Sequence, residues 1–517
     1  MDIKIIQGGI QAVEADTIIV NLFKGISDPG GATGVVDKAL DGALADLITG
    51  GDFSGKLGET AVLYPRGAIP ARRVIVVGLG SADEFNLEKV REVAAVALER
   101  ARKLGAAHVA TILHGGGSGG LNIDEAAQAI VEGSLLSQYR YDVPGVKSAE
   151  KAKDEKRVES LTLVEFDESK LDAVKAGAAV GQAIAAGVYL ARDLINQPGN
   201  VATPSAIAAA AVAMAGEVGL SCRILEEAQL HDEGMNVMLA VTQGAAEPAK
   251  FIILEHKPEN VYENSGPVVL VGKGVAFDTG GYTLKPGASM VGMKGDMGGA
   301  AAVIGAMRAV AELKLPLHVV GLVPSVENVV SATAYKPNDV FIAKNGVSVE
   351  IISTDAEGRL ILADALCYAD TLKPSIVIDV ATLTGGKMVA LGPRMSALFV
   401  TDDLLCELLL AAGQKVGEPL WRMPLDAAYD VQLKSDVADV KNTGGRLASA
   451  ITAARFLSNF TGDWPWAHID IAGGELYSGG SDDTKRSYMT KGGTGLTLRT
   501  LVEYLRNVGG KGSLPLS

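Results

Sequence analysis

The chain has 517 residues, which is too long for one ordinary domain and comfortable for two. It carries 47 basic and 61 acidic residues, and the net charge of −14 argues against non-specific nucleic-acid binding as its main role. Hydrophobic residues make up 48% of the chain and charged residues 21%, proportions that exclude a disordered protein.

Three widely spaced cysteines, Cys222, Cys367 and Cys406, exclude a disulfide framework and a cysteine-based zinc site. They indicate a reducing compartment, and we therefore expect a cytoplasmic protein. No apolar run reaches about 18 residues without a charge, proline or glycine, so no membrane span is predicted. The six histidines are scattered, so carboxylates would have to supply most of the ligands of any metal site.

The first part of the chain, up to about residue 145, alternates short strands and helices. The predicted strands are Ile3–Ile6, Thr17–Leu22, Glu59–Leu63, Arg73–Val77 and His108–Leu113. The predicted helices are Phe85–Leu104 and Asp124–Ser137, and the tract Gly115–Gly120 is predicted to be a flexible turn. This pattern indicates a small α/β domain of mixed strand order.

A charged segment from Asp142 to Ser160 separates this region from the rest of the chain. We expect an exposed loop at a domain boundary, and we place the two domains at residues 1–160 and 161–517. A connecting helix of small residues is predicted over about 167–195, and the sequence Asn196-Gln197-Pro198-Gly199 ends it.

The second region repeats a pattern of strand, loop and helix to its end. The predicted strands are Pro267–Val271, His318–Val323, Val347–Ile352, Ser375–Ala381 and His468–Ile471. The predicted helices are Gly298–Leu313, Leu360–Leu372, Arg446–Phe460 and Thr497–Arg506. Apolar strands alternating with helices predict a doubly wound, mostly parallel sheet. In such sheets functional groups lie beyond the carboxyl ends of the strands, here after Val271, Ile352 and Ala381.

Four carboxylates follow these strands or precede a helix, namely Asp278, Asp296, Asp355 and Glu357. Asp355 and Glu357 are two positions apart, so their side chains would share a face in extended backbone. Like charges in one pocket are costly unless cations neutralise them, and a pair of divalent ions bridged by shared carboxylates is the usual solution.

Two lysines and an arginine, Lys273, Lys285 and Arg359, lie among these acids. The structural alternative is a buried salt-bridge network without a metal. Arg359 follows Gly358 at a predicted helix start, where an anion would be stabilised. By contrast, Gly78-Leu79-Gly80 lacks the third glycine of a dinucleotide loop, and His468 is expected to be a packed core residue.

The segment Ser353–Leu360, STDAEGRL, closely resembles the NTDAEGRL signature of the leucyl aminopeptidase family of dinuclear metallopeptidases. Five further segments resemble blocks of that family, in family order: Arg192–Pro204, Gly272–Lys285, Met293–Val303, Lys434–Asn442 and Trp466–Gly473. The resemblance extends from about Ala191 onward, whereas the N-terminal domain is similar only in pattern.

The resemblance implies a smaller, macro-like N-terminal α/β domain and a larger catalytic domain. It implies an aminopeptidase that releases N-terminal residues, preferably Leu-like, from short peptides by attack of a metal-bridging hydroxide. The implied cofactors are two divalent ions per subunit, Mn²⁺ or Zn²⁺ with Mg²⁺ or Co²⁺ as alternatives, together with bicarbonate as the general base. The implied assembly is a homohexamer.

The roles of individual residues also follow from the resemblance. The tighter metal site would be formed by Lys273, Asp278, Asp296 and Glu357. The exchangeable site would be formed by Asp278, Asp355 and Glu357. Lys273 can be a ligand only as the neutral amine. Lys285 would stabilise the gem-diolate oxygen, and Arg359 would hold the bicarbonate. The pocket for the first side chain would be lined by Met293, Thr382 and Gly385.

Two positions depart from the family pattern. Ser353 replaces the usual Asn, and Tyr282 lies between Asp278 and Lys285, where it bears on substrate preference. Three alternatives remain: an accessory DNA-binding role, against which the net charge argues, a catalytically silent relative, against which the intact site residues argue, and a dipeptidase acting on substrates such as cysteinylglycine.

Overall fold

The computed structural model describes residues 1–116, 119–141, 156–259, 266–479 and 486–510. The chain forms two compact units, one of Met1–Ala185 with Lys485–Thr490 and one of Ala186–Thr484 with Lys491–Ser517. Most of the predicted boundary loop, residues 142–155, and part of the tract Gly115–Gly120 lie outside the described residues. The end of that predicted loop, Ser160, opens a strand instead.

The first unit alternates strands and helices. Its strands are β1 (Asp2–Gln7), β2 (Thr17–Leu22), β3 (Thr60–Leu63), β4 (Arg73–Gly78), β5 (His108–Ile112) and β6 (Ser160–Glu165). Its helices are α1 (Gly31–Ala39), α2 (Ala43–Thr49), α3 (Leu87–Lys103) and α4 (Ile123–Ser137), and α5 (Leu171–Asn196) begins in this unit.

The described residues of this unit form one six-stranded sheet in the order β1-β6-β5-β2-β4-β3. All neighbours are parallel except β3 and β4. Strand β6 was not predicted, and it lies between β1 and β5 with five of its six residues buried. Helices α3 and α4 are joined by a buried ion pair, in which Arg91 Nε lies 2.6 Å from Glu132 Oε2.

The Gly78-Leu79-Gly80 segment serves chain packing in the structure. A Cβ atom at Gly78 would lie 2.0 Å from the carbonyl oxygen of Lys56, so only glycine fits there. The close approach of these two backbone segments explains why glycine occupies position 78, and no phosphate-binding role is needed to explain it.

The second unit contains the remaining elements. Its strands are β7 (Ser221–Glu226), β8 (Lys250–His256), β9 (Val268–Gly272), β10 (Gly274–Asp278), β11 (Val319–Asn328), β12 (Val340–Ile342), β13 (Ser348–Glu350), β14 (Ile376–Ala381), β15 (Ser396–Val400), β16 (Leu420–Arg422), β17 (Val440–Lys441), β18 (Trp466–Asp470), β19 (Leu476–Tyr477) and β20 (Gly492–Gly493). Its helices are α6 (Pro204–Val218), α7 (Glu227–Asp232), α8 (Asn236–Thr242), α9 (Gly287–Met290), α10 (Gly298–Glu312), α11 (Gly358–Asp370), α12 (Gly385–Leu391), α13 (Asp403–Val416), α14 (Ser449–Leu457) and α15 (Leu498–Gly509).

The main sheet of this unit has nine strands among the described residues, in the order β16-β15-β18-β14-β9-β11-β8-β7, with β10 paired to β11. Its centre, β18-β14-β9-β11, is parallel, and antiparallel pairs lie toward both edges. The two-domain α/β architecture and the mostly parallel central strands confirm the predicted fold class. The buried strands β9 and β14 and the almost wholly buried helices α10 and α11 form the core next to the site.

The predicted strand Val347–Ile352 does not belong to this sheet. Only Ser348–Glu350 is a strand, and it pairs with β12 and β17 in a separate three-stranded sheet within the described part of the chain. The segment that carries Asp355 and Glu357 therefore does not continue from a strand of the main sheet.

One helix among the described residues, Glu168–Asn196, is long and apolar enough to cross a membrane by length and composition. Half of its most apolar window is buried inside the protein.

Candidate active site

Close contact between helix α10 and the sheet fixes the distance between Lys273 and Asp296. A Cβ atom at Gly299 would lie 2.0 Å from the carbonyl oxygen of Val380, and one at Gly272 would lie 2.6 Å from the carbonyl oxygen of Gly299. The helix backbone therefore lies directly on strands β9 and β14. Lys273 follows β9 and Asp296 precedes α10, so this contact brings the two side chains together.

The ammonium group of Lys273 lies at the centre of a buried cluster. Its Nζ donates to Asp296 Oδ1 at 2.7 Å and to the carbonyl oxygen of Thr382 at 2.8 Å. It also lies 2.9 Å from Glu357 Oε1. Burial by itself lowers the pKa of Lys273, but the neighbouring Asp296, Glu357 and Asp278 carboxylates outweigh burial and raise it.

Asp278 ends strand β10 and is held from both sides. Its Oδ1 accepts hydrogen bonds from the Gly280 backbone N–H at 2.8 Å and from Asn328 Nδ2 at 2.7 Å. Lys285 Nζ lies 2.7 Å from Asp278 Oδ2 and 2.5 Å from Asp355 Oδ1. Burial, followed by repulsion from Glu357, raises the pKa of Asp278.

The backbone that carries Asp355 and Glu357 is not extended, contrary to the sequence-based prediction. The segment is a turn, and Glu357 has helical backbone angles, so the two side chains do not share the face of an extended strand. They nevertheless converge with Asp278, because one carboxylate oxygen from each of the three residues lies within 4.8 Å of the others.

The donor set fits divalent cations. Glu357 Oε2 is buried without a hydrogen-bond partner among the described residues, which is costly for a carboxylate oxygen. Burial also raises the pKa of Asp296 well above its usual range and raises that of Asp355, and repulsion between the acids contributes in both cases. Carboxylate oxygens are favoured ligands of hard divalent ions, and a bound cation would relieve this repulsion.

Arg359 lies in the first turn of α11 and is 6% exposed. Its Nη1 donates to the main-chain oxygen of Asn442 at 2.8 Å, whereas its Nε has no partner within the described residues. Burial lowers its pKa to about 10, so the group remains a cation at neutral pH. A buried guanidinium with an unused N–H fits a small anion.

The residues predicted to line the first side-chain pocket have different environments. The Thr382 hydroxyl donates to Asp296 Oδ1 at 2.7 Å, so this residue supports the cluster directly. Met293 is half-buried at the start of a short 3₁₀ segment, and Gly385 is exposed at the start of α12. Tyr282 is 47% exposed, and its hydroxyl donates to the carbonyl oxygen of Ser331 at 2.9 Å.

Sequence reasoning missed four buried residues that hold these groups. Asn328 donates to Asp278, Tyr335 donates to the carbonyl oxygen of Thr354, and Asn442 pairs with the backbone of Ile352 and Ser353. The fourth is Thr354 itself. Among the three missed residues outside the signature, Asn442 alone lay in a segment that resembles the family, where it is the last residue. No sequence signal indicated a role for the other two.

Two models of known protein families match the chain. The model of the cytosol aminopeptidase catalytic domain matches residues 189–502, and the model of the N-terminal domain of the same family matches residues 19–144. The chain belongs to the cytosol aminopeptidase family. It is therefore an aminopeptidase, a hydrolase that removes N-terminal residues.

Curated relatives in this family span nearly the whole chain. A probable cytosol aminopeptidase of Roseiflexus castenholzii is 44% identical over 471 residues, covering 91% of this chain and 94% of the relative. A probable cytosol aminopeptidase of Alkaliphilus metalliredigens is 37% identical over 509 residues, covering 98% of this chain and 100% of the relative.

Two solved structures are similar to this chain over nearly its whole length. The bottromycin maturation enzyme BotP in complex with Mn superposes with a TM-score of 0.83 at 34% identity, covering 96% of this chain and 100% of BotP. A mutant of tomato leucine aminopeptidase gives a TM-score of 0.84 at 31% identity, covering 98% of this chain and 96% of the tomato protein.

Proposed function

We propose that this cytosol aminopeptidase is a metal-dependent, cytoplasmic enzyme that releases Leu-like N-terminal residues from short peptides. The observation that carries the proposal is the convergence of Asp278, Asp355 and Glu357 within 4.8 Å, next to the Lys273–Asp296 pair. A dinuclear site accounts for so many buried acids better than an ion network does, because Glu357 Oε2 has no protein partner among the described residues.

The metal ligands in this proposal form two overlapping sets. Lys273, Asp278, Asp296 and Glu357 would hold the tighter ion. Asp278, Asp355 and Glu357 would hold the exchangeable ion. When bound, divalent ions would supply Lewis acidity and a water of lowered pKa.

The metal itself is inferred from chemistry and from a relative. The oxygen-rich donor set suits Mn²⁺, and the BotP structure that resembles this chain contains Mn. Zn²⁺, Mg²⁺ and Co²⁺ suit the same donors, with the nitrogen of Lys273 favouring Zn²⁺ or Co²⁺ over Mg²⁺. Lys273 must lose its proton before it can act as a ligand, so metal binding at that site would release a proton.

Two cations of the chain perform the remaining chemistry in this proposal. The ammonium group of Lys285 lies beside both Asp278 and Asp355, where it stabilises the oxyanion that develops on the substrate carbonyl. Arg359 would hold a bicarbonate, which supplies general-base chemistry when bound. The unused Nε–H of Arg359 supports this assignment.

Substrate selection in this proposal depends on a pocket and on assembly. Met293, Thr382 and Gly385 line the pocket for the first side chain, and a homohexamer restricts access to short peptides. Hydrolysis of aminoacyl amides with different first residues, after chelation and separate addition of Mn²⁺ or Zn²⁺, tests the activity and the preference together. Leu and Met amides should be cleaved fastest. A metal-loaded protein that cleaves no amide would be a silent relative, and cleavage of cysteinylglycine alone would make it a dipeptidase.

A further inference from the structure

Two loops of the catalytic unit meet at one side chain. The first, residues 279–285, is here called the Lys285 loop, and the second, residues 353–357, the carboxylate loop. The backbone N–H of Thr283 donates to Thr354 Oγ1 at 2.7 Å, and the backbone N–H of Thr354 donates to Thr283 Oγ1 at 3.1 Å. The Thr354 hydroxyl in turn donates to the carbonyl oxygen of Gly280 at 2.6 Å. These three hydrogen bonds join the loops directly.

The backbone of the Lys285 loop lies close to two side chains of the carboxylate loop at this point. Gly280 and Gly281 both have positive φ angles, +84° and +61°. A Cβ atom at Gly281 would lie 2.8 Å from Thr354 Oγ1, and one at Gly280 would lie 2.9 Å from Asp355 Oδ1. The Lys285 loop therefore has no room to shift toward the carboxylate loop, and the hydrogen bonds of Thr354 prevent it from shifting away.

Thr354 is also fixed from the protein interior. Its carbonyl oxygen accepts hydrogen bonds from Asn328 Nδ2 at 2.9 Å and from the Tyr335 hydroxyl at 2.7 Å. Asn328 Nδ2 donates to Asp278 Oδ1 as well. Thr354 is 0% exposed, so water cannot replace a hydrogen bond that it loses.

We propose that Thr354 is a positioning residue. It keeps the side chains of Asp278 and Lys285 in register, that is, in the correct position relative to those of Asp355 and Glu357. It acts through Thr283 and Gly280, and its own side chain makes no contact with the metal-binding carboxylates among its hydrogen bonds. The inference rests on the proposed function, because the register matters for metal binding only if these acids share cations. Loss of the hydroxyl would leave the carbonyl oxygen of buried Gly280 without its donor.

Substitution at Thr354 separates the hydroxyl from the shape of the side chain. Thr354→Val removes the hydroxyl at nearly constant volume, whereas Thr354→Ser keeps it. The control Thr500→Val removes an equally buried hydroxyl, which donates to Glu418 Oε2. Mn²⁺ affinity is measured by chelator competition without substrate. Thr354→Val should weaken it about 10–100-fold, the usual range for residues that orient metal ligands, whereas Thr354→Ser and Thr500→Val should stay within about threefold of the parent.

Activity at saturating Mn²⁺ provides the second measurement. Thr354→Val should lower kcat about 10–100-fold while KM changes little, because the ammonium group of Lys285 is displaced from the reacting carbonyl. If Thr354→Val does not fold, Thr283→Val at the exposed partner removes one of the reciprocal hydrogen bonds and should weaken Mn²⁺ binding in the same direction.

Two results would overturn the inference. One is unchanged Mn²⁺ affinity and kcat in Thr354→Val or Thr283→Val. The other is an equal loss in Thr354→Val and Thr500→Val, which would reduce the hydroxyl to a general contribution to folding. An inactive parent protein that still binds Mn²⁺ would contradict the proposed function instead, and the affinity comparison would still decide the role of Thr354.

Discussion

The imidazole Nδ1 of His468 lies 2.5 Å from Oδ1 of Asp379, and neither side chain is exposed. The two residues are directly opposite each other on the parallel strands β18 and β14, and Trp466 Nε1 donates to the other Asp379 oxygen at 2.7 Å. Burial lowers the pKa of His468, but Asp379 outweighs burial and raises it. The sequence-based expectation of a packed core histidine is confirmed, and Asp379 is its counter-ion.

Loss of this counter-ion should destabilise the catalytic unit. Asp379→Asn would leave a buried imidazolium without its partner, and we expect a loss of about 3–5 kcal/mol in the free energy of unfolding. Urea denaturation at pH 6 measures the loss. Asp403→Asn, which breaks the exposed pair with Arg422, is the control and should change stability little. Equal effects of the two substitutions would contradict a buried ion pair.

The stability of the N-terminal unit should depend on pH through His114. Burial lowers its pKa to about 4 from the usual 6.5, so the unfolded chain binds more protons between these values. The stabilisation from the neutral imidazole is complete above pH 6.5 and is lost as the pH falls toward 4, by about 3 kcal/mol. His114→Gln should flatten the dependence in urea unfolding between pH 4 and 7. An unchanged slope in that variant would assign the effect to other groups.

Metal content should depend most strongly on the carboxylates proposed to bridge two ions. Glu357→Ala and Asp278→Ala should each lose both metals, and Asp355→Ala should lose chiefly the exchangeable one. Elemental analysis after dialysis against Mn²⁺ or Zn²⁺ measures the content. Glu312→Ala, at a surface pair with Arg308, should retain the parent content. A Glu357→Ala protein that holds about two metals per chain would refute the assignment.

Catalysis and metal binding should separate at Lys285. Lys285→Ala should retain its metals yet lose about 10²–10³-fold in kcat, the usual effect of removing one donor to an oxyanion. Metal analysis and steady-state kinetics on the same preparation test the separation. A folded variant that lost metal would instead make Lys285 a ligand.

Assembly should determine which substrates reach the site. A homohexamer of 53.4 kDa chains should be recognisable by light scattering, and it should cleave short peptides well but leave a folded protein with an accessible N-terminus intact. Full activity in a particle of about one chain mass would contradict the hexamer. Rapid trimming of the folded substrate by the intact oligomer would contradict restricted access.

Periodicity predicted the strongly patterned elements and failed where pattern or composition was weak. Strands β2 and β4 and helix α3 were predicted nearly to the residue, because buried apolar runs and a clear polar face define them. Strand β6 was missed because a charged segment precedes it. Helix α6 was missed because its sequence is almost uniformly apolar, and strand β13 was placed in the wrong sheet because pairing partners are set by distant segments.

The candidate site shows the same division. The signature segment and its neighbours identified the acids and the cations, because these residue types are expensive to bury without a purpose. Asn328, Tyr335 and Asn442 carried no such signal, since their side chains form hydrogen bonds with groups up to 90 residues away along the chain. Only the folded chain brings these groups together.

The contact of Gly272 and Gly299 with neighbouring backbone limits how this enzyme could be engineered. Replacing glycine by alanine often stabilises proteins by restricting the unfolded chain. At Gly299 the added methyl group would meet the Val380 carbonyl at 2.0 Å and push the start of helix α10 off the sheet. Asp296 would move with the helix and Lys273 would stay with its strand. Stabilising libraries should therefore leave both glycines unchanged, however flexible they make the unfolded chain.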